Sequence, residues 1–304
     1  MFISFVLVYN NMVTIVEKKS GNKKSYYLHH TLRTKEGYKS LEKYIGDRLP
    51  SNIEERKIEF FLEAYEDIFN EIETIRNKQI ELKSKLPDSI KRKNELDFSI
   101  NFTYNTNRIE GSTLSLKDTY NLIDNHIVPE KKPLRDIKET ENHQKLFFNL
   151  INDNSKVSYS NVLKWHNDIF FNTKPDISGK VRDYQVAIAQ SKFLPPSPAE
   201  VYSELKAFFR WYNSKKDKYH PVILSALSHM RFVSVHPFGD GNGRISRIIM
   251  NVILGDGDYP LYIIDYKDRD GYYNALERAH NVKDDFKFLA WFVRNYRNYI
   301  RDRS

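Results

Sequence analysis

The chain contains no cysteine, which excludes disulfide bridges, thiol nucleophiles and cysteine-held metals, and is consistent with a cytoplasmic home. Its 11 glycines and 11 prolines gather into no low-complexity tract, and no internal repeat runs through the 304 residues. A long apolar run is missing too. The opening stretch Phe2 to Tyr9 is apolar but too short to span a bilayer. It also lacks a basic leading segment and an A-x-A cleavage site, so neither a membrane anchor nor a signal peptide is expected, and Met12 is an alternative start. What is present is 40% apolar content, enough for a substantial core in one main domain with a smaller N-terminal addition.

Positive charge is unevenly spread. Residues 1–50 hold nine Lys or Arg against four Asp or Glu, a net of +5, which leaves +3 of the chain's +8 to the other 254 residues. Val13 to Val16 and Tyr26 to His29 are predicted strands. With Tyr26 and Tyr27 set among Lys18, Lys19, Lys23, Lys24 and Arg33, this unit could bind nucleic acid, although a solvated basic face is the plainer reading. From Ile58 the pattern changes: Ile58, Phe61, Tyr65, Ile68, Ile72, Ile75, Leu82 and Leu86 keep a three-and-four spacing between a cap at Ser51 or Asn52 and a stop at Pro87. One long helix is predicted, either packed back on the core or pairing in a homodimer through a coiled-coil seam. The division expected is a small basic β-containing unit over 1–50, a linking helix over 51–94 and a main helical domain over 95–304.

The chemistry is concentrated in twelve residues, His236-Pro237-Phe238-Gly239-Asp240-Gly241-Asn242-Gly243-Arg244-Ile245-Ser246-Arg247. Ile245, Ile248, Ile249, Val252 and Ile253 mark one buried face of a helix from about Gly243 to Leu254. Arg244, Arg247 and Asn251 form a second, polar stripe expected to point away from that core and toward whatever the loop holds. Gly241 and Gly243 allow close backbone approach to an anion at a helix N-terminus. Asp240 is a hard oxygen ligand suited to Mg²⁺, and His236 can take a proton from a hydroxyl near neutral pH. Together these residues suit the handling of a polyphosphate. Taken as ordinary Asp-Gly and Asn-Gly turns, the same glycines would only link two helices.

The stretch resembles the signature of the Fic family, H-x-F-x-D/E-G-N-G-R-x-x-R, with every defining position filled. The resemblance implies a mainly α-helical Fic-type core and transfer of AMP from ATP, with Mg²⁺, to a Ser, Thr or Tyr hydroxyl of a target protein, self-modification included. It further implies that His236 is the general base, Asp240 the metal ligand, Gly241, Asn242 and Gly243 the anion cradle, Arg244 a phosphate contact and Arg247 the γ-phosphate clamp. Phe238 would pack beneath the loop. Upstream, Thr106-Asn107-Arg108-Ile109-Glu110-Gly111 resembles the family's inhibitory helix, placed near 100–111, in which Glu110 would engage Arg247 bidentately and deny it to the γ phosphate. Read without the resemblance, Glu110-Gly111 would only end a helix.

Gly179 to Phe193 places Tyr184, Val186 and Ile188 at period two before a Gln190-Ser191-Lys192 tip, and is predicted as a β-hairpin. It resembles the family's flap, in which Val186 and Ile188 would dock a target segment by strand pairing. Tyr272, Tyr273, His280 and Asn281 are candidates for the nucleotide base, with core packing an equal reading for the tyrosines. His220 and His229 complete no zinc set with His236, and Asp256-Gly257-Asp258 lacks the ligands of a calcium loop. Two other functions stay open: the same site could use another nucleotide donor or remove AMP, or the chain could be a nucleic-acid-binding regulator acting through residues 1–50.

Overall fold

Alternating apolar and basic residues at the start of the chain close into an antiparallel sheet in the computed structural model, which describes residues 13–303 apart from 35–36, 154 and 189–190. The Phe2 to Tyr9 run, Met12, Gln190 and the Arg33 side chain therefore lie outside the described residues. Strands β1 (Thr14–Ser20), β2 (Lys23–Thr34) and β3 (Gly37–Gly46) are ordered β1-β2-β3, with Thr14 opposite His29 and Leu28 opposite Lys43. The third strand has little apolar periodicity of its own, being exposed along most of its length, and was not predicted. One face buries Val13, Leu28 and Ile45 against Ile58 and Phe61. Many of its charges pair locally: Lys18 with Glu42 at 2.6 Å, Lys43 with Glu63, and Lys19 and Lys24 with Glu17 at 3.5 and 3.4 Å.

The expected single helix after residue 51 is two, α1 (Ile53–Ala64) and α2 (Glu66–Lys85), divided at Tyr65. The apolar spacing runs through the break unaltered, so periodicity could not reveal it. The buried Tyr65 ring stacks on Phe61 at 4.4 Å and faces His30 of the sheet at 5.7 Å, a contact made only in three dimensions. Asn52 precedes α1 without a side-chain cap bond. The next helix, α3 (Asp88–Ile109), runs unbroken through 94 and 95 and ends at Glu110.

Eight further helices complete the fold: α4 (Leu116–Ile123), α5 (Leu134–Asn152), α6 (Tyr159–Phe170), α7 (Pro198–Lys215), α8 (Pro221–Val235), α9 (Asn242–Asp256), α10 (Arg269–Val282) and α11 (Asp285–Arg301). α8 is apolar on nearly every side and buried, as a central helix must be. α9 lies alongside it, and Ser225 of α8 donates to the Met250 carbonyl at 3.0 Å. α2 rests on α11, where Arg297 pairs with Glu71 at 2.8 Å. The chain is thus mainly α-helical with a small three-stranded sheet.

The predicted hairpin is a correction. The described residues from 180 to 197 contain no strand, and Val186 and Ile188 are half-buried on irregular backbone. Side-chain anchors on both arms replace a ladder. Glu277 of α10 accepts from the Ser191 hydroxyl at 2.5 Å and from the Lys192 N–H at 3.3 Å. Phe193 stacks on His280 with ring centres 3.8 Å apart.

Candidate active site

The 236–247 loop is where two buried helices meet. His236 ends α8 in a left-handed conformation (φ 49°, ψ 57°), and Gly241 precedes α9 in another (φ 79°). The first turn of a helix has N–H groups without intrahelical acceptors, and those of Asn242 and Gly243 lie at this position, as an anion cradle there would require. The Asn242 side chain is committed elsewhere. Its Oδ1 accepts from the Phe238 N–H at 2.9 Å and its Nδ2 donates to the Phe238 carbonyl at 2.8 Å, so it shapes the loop from a buried position. Phe238 is fully buried beneath the loop, as expected, and stacks on His166 at 3.8 Å.

Close approach explains both glycines. A Cβ on Gly241 would overlap the Phe170 ring as well as strain a positive φ, and one on Gly243 would overlap the Glu110 carboxylate. Gly243 thus leaves room for the acid that lies against it.

His236 has its ring nitrogen Nδ1 3.2 Å from the Val233 carbonyl. A carbonyl can only accept, so Nδ1 carries the proton and Nε2 keeps its lone pair, the tautomer a base requires. Burial pushes its pKa below the ordinary value, with the Val233 bond, Glu110 and Asp240 acting the other way, which favours the neutral ring.

Arg182, which the sequence reading missed, holds this geometry. It is almost fully buried, and its guanidinium donates to the carbonyls of His236 (2.9 Å), Tyr184 (2.9 Å) and Pro196 (2.6 Å), while its N–H donates to Pro237 at 2.9 Å. One side chain therefore ties the loop to both arms of the 180–197 segment. A single arginine between two glycines' worth of loop gives no periodic signal in a sequence.

The polar stripe on α9 points inward, contrary to expectation. Arg244, Arg247 and Asn251 are all buried, and Asn251 exchanges hydrogen bonds with the backbone of Tyr262, at 2.7 Å to its N–H and 3.0 Å to its carbonyl. Asn251 is thereby a structural anchor for the following loop. Arg247 is reached from above by Glu110, whose Oε1 accepts from its terminal nitrogen at 2.6 Å, and the same nitrogen donates to the Thr106 carbonyl at 3.2 Å. The pair has one close contact where a bidentate one was expected. Glu110 stays in place because α3 ends in a Schellman motif, with Gly111 (φ 91°) donating to Arg108 at 3.2 Å and Ser112 to Asn107 at 2.9 Å. The capping and pairing readings of Glu110-Gly111 therefore describe the same residues.

Arg244 and Asp240 belong to a second ionic cluster. Arg244 contacts Glu139 of α5 at 2.5 Å and Asp240 at 3.4 Å, and Lys174 contacts the same two carboxylates at 2.9 and 2.5 Å. Burial raises the Asp240 pKa, but Arg244 and Lys174 outweigh it and hold the carboxyl well below the usual range. Lys174 and Glu139 lie 62 and 97 residues before His236, where the motif begins, and nothing in their own sequence context singles them out. Glu110, Glu139, Lys174, Asp240 and Arg244 line one opening beside the helix start.

The four base candidates differ in exposure. Tyr272 is buried behind Arg247, with its hydroxyl 3.0 Å from His229 and 3.5 Å from Arg247, and cannot stack on a ligand from there. Tyr273 is part-exposed and donates to the Ile109 carbonyl at 3.1 Å. His280 is covered on one face by Phe193, and Asn281 is exposed. His229 and His220 are core and cap residues, as expected, and no group of three His, Cys, Asp or Glu could hold a metal by itself among the described residues.

His166 gives the site a pH dependence. It is fully buried, accepts the Gly179 N–H at 2.9 Å and donates to the Asp240 carbonyl at 3.0 Å, and burial lowers its pKa from 6.5 to about 4. An unfolded chain binds this proton first as the pH falls, so the contribution is complete above about 6.5 and is lost progressively toward pH 4. Buried His229, lowered to about 3, acts with the same sign. Urea unfolding at pH 7.5 and pH 5 is expected to show a lower midpoint at pH 5, with an unfolding free energy smaller by on the order of 1–3 kcal/mol. An equal or higher midpoint would contradict it.

Comparison with known proteins agrees with this construction. Residues 156–254 match the Fic/DOC family. The chain is 30% identical over 194 residues to the protein adenylyltransferase Fic of Nematostella vectensis, covering 62% of this chain and 45% of that one. It is 31% identical over 200 residues to protein adenylyltransferase fic-1 of Caenorhabditis elegans, covering 64% and 39%. The chain thus spans less than half the length of these two relatives. Among solved structures, a Fic domain containing signaling protein from Bacteroides thetaiotaomicron superposes with a TM-score of 0.68 at 25% identity, covering 76% of this chain and 94% of that one. C. elegans Fic-1 superposes at 0.67 with 26% identity, covering 83% and 76%. With the complete signature at the α8–α9 junction and this fold around it, residues 156–254 carry a domain of the Fic/DOC type.

Proposed function

We propose that the protein is an adenylyltransferase that moves AMP from ATP to a hydroxyl side chain of a protein target and is restrained by its own Glu110. The observation that carries this reading is His236, whose Nδ1 is turned to the Val233 carbonyl so that Nε2 is left as the acceptor, placed just before the N-terminus of α9 and the opening lined by Asp240 and Arg244. The curated relatives' shared name, protein adenylyltransferase, supports the same class of reaction.

In this reading His236 removes the proton of the attacking hydroxyl as the bond to the α phosphorus forms, and pyrophosphate leaves. The first-turn N–H groups of α9 and the Arg244 guanidinium stabilise charge that grows on the phosphate oxygens. Little covalent work is asked of the protein, and positioning supplies most of the rate. Asp240 suits Mg²⁺ because it is a hard, ionised carboxylate whose side chain is 39% exposed at the opening. When bound, the ion supplies positive charge to the α and β phosphates. Residues 180–197, anchored by Arg182 and Glu277, border His236 and would seat the target segment near Val186 and Ile188.

The deciding experiment is incorporation of α-labelled ATP into protein, self-modification included, in a Glu110→Gly background with and without His236→Ala. Label is expected with Glu110→Gly alone, and to fall at least 10²-fold on adding His236→Ala while ATP binding persists. Full labelling in the double variant would remove His236 from its role, and no label in either would exclude ATP as donor under these conditions.

A further inference from the structure

Lys174 stands where a cation would be needed. Its ammonium lies 2.5 Å from Asp240 and 2.9 Å from Glu139, the same two carboxylates that Arg244 engages from the other side. Two acids and two bases balance, so the cluster is complete with no ion added. It is also well built. Glu139 is buried on α5, the Arg244 guanidinium lies over the Phe170 ring at 4.5 Å, and the Lys174 ammonium lies over that ring at 4.9 Å. The Lys174 backbone is fixed in the turn after α6 by donation to the Phe170 carbonyl at 2.9 Å.

The lysine differs from the two buried members, Glu139 and Arg244, in freedom. Its side chain is 20% exposed, against 7% for Glu139 and 6% for Arg244, and it ends a flexible four-carbon stem at the rim of the opening. It can therefore leave the cluster without disturbing the fold, whereas Arg244 and Glu139 cannot. We propose that Lys174 is a built-in competitor for divalent cations at Asp240: it satisfies the carboxylate in the resting protein and must swing out before the site can accept a metal. The proposal rests on the reading of Asp240 as the metal ligand.

Electrostatics gives the sign. A dication entering the balanced cluster adds to the two positive groups already there, whereas with Lys174 neutralised the cluster begins at a net −1 and attracts it. Lysine at this position would make occupation of the site depend on the nucleotide phosphates, which bring the extra negative charge. A protein without ATP would then carry little metal at Asp240.

The test is Mn²⁺ binding to the nucleotide-free full chain, followed by the loss of the free-ion electron paramagnetic resonance signal and by calorimetry. Wild type, Lys174→Met, Asp240→Asn and the double variant are compared, with circular dichroism and thermal midpoints as the check on folding. Lys174→Met is expected to bind on the order of tenfold more tightly than wild type, with the gain abolished by Asp240→Asn. Equal or weaker binding by Lys174→Met, with Asp240→Asn still lowering affinity, would overturn the competitor role alone. If Asp240→Asn changed nothing in either background, Asp240 would not be the ligand, and both readings would fall together.

Discussion

Glu110→Gly is expected to raise transfer of label from α-labelled ATP by roughly one to two orders of magnitude and, at the same time, to lower the protein's thermal stability. Both effects come from one contact. Arg247 is fully buried and its close ionic partner is Glu110 at 2.6 Å, so on the proposed reading a γ phosphate would compete for a guanidinium already engaged. Breaking a desolvated pair from one side costs a few kcal/mol, and each ~1.4 kcal/mol is a factor of ten in occupancy. The stability cost follows from what Arg247 keeps, the Thr106 carbonyl at 3.2 Å and the Tyr272 hydroxyl at 3.5 Å, and is about 1–3 kcal/mol. Opposite signs make the result diagnostic. A lower melting temperature with unchanged labelling would mean that the pair is structural only, and higher labelling with unchanged ATP affinity would mean that Glu110 misaligns the nucleotide and does not exclude it.

Gly241→Ala should abolish labelling and destabilise the protein by about 2–5 kcal/mol, while Gly255→Ala should do neither. Gly241 sits at φ 79°, and an added Cβ would overlap the ring of Phe170. Backbone strain of ~1–3 kcal/mol adds to an overpacking cost of similar size. Phe170 cannot yield easily. It is fully buried and lies under the Arg244 guanidinium, so movement of the ring would shift Arg244 and, through it, Asp240 and Glu139. The first turn of α9 would move with them, and the cradle would lose its aim. Gly255 lies near the far end of α9, meets only Leu261 at an ordinary 3.5 Å, and as alanine should be neutral or stabilising by up to about 1 kcal/mol. Thermal denaturation of both variants beside wild type checks the pair. Equal melting temperatures for Gly241→Ala and Gly255→Ala would show that the loop tolerates a side chain and that its glycine is dispensable to the fold.

Much of this protein was legible in the chain because the decisive residues lie close together. The twelve-residue motif puts His236, Asp240, the glycines and both arginines on one loop and helix start, and the three-and-four spacing of isoleucines fixed α9 to within a residue or two at either end. The Glu110 segment was equally local, since the residues that end a helix in a Schellman turn are consecutive. Patterns of this kind are written by the backbone's own period and by short-range sterics.

Where the reading failed, the cause was a contact between distant segments. Period two over Tyr184 to Ile188 suggested strand pairing, but Arg182, Glu277 and His280 hold that segment by side chains instead, so the backbone is free to be irregular. Tyr65 interrupts a helix whose apolar spacing continues without a fault, because its ring is taken up between Phe61 and His30. The arginines of α9 were expected to point away from the core toward whatever the loop holds, and are buried because α3 and α5 bring Glu110 and Glu139 over them.

Sequence alone therefore determined which functional groups share one loop and helix start, since residue type and spacing within a dozen positions decide that. Tertiary structure alone decided the state of each group: which histidine nitrogen is free, which carboxylate answers which arginine, and that Lys174 and Arg182 take part at all. Charge and tautomer depend on distances of 2.5 to 3.5 Å between residues up to 137 positions apart, and such distances exist only once the helices have packed.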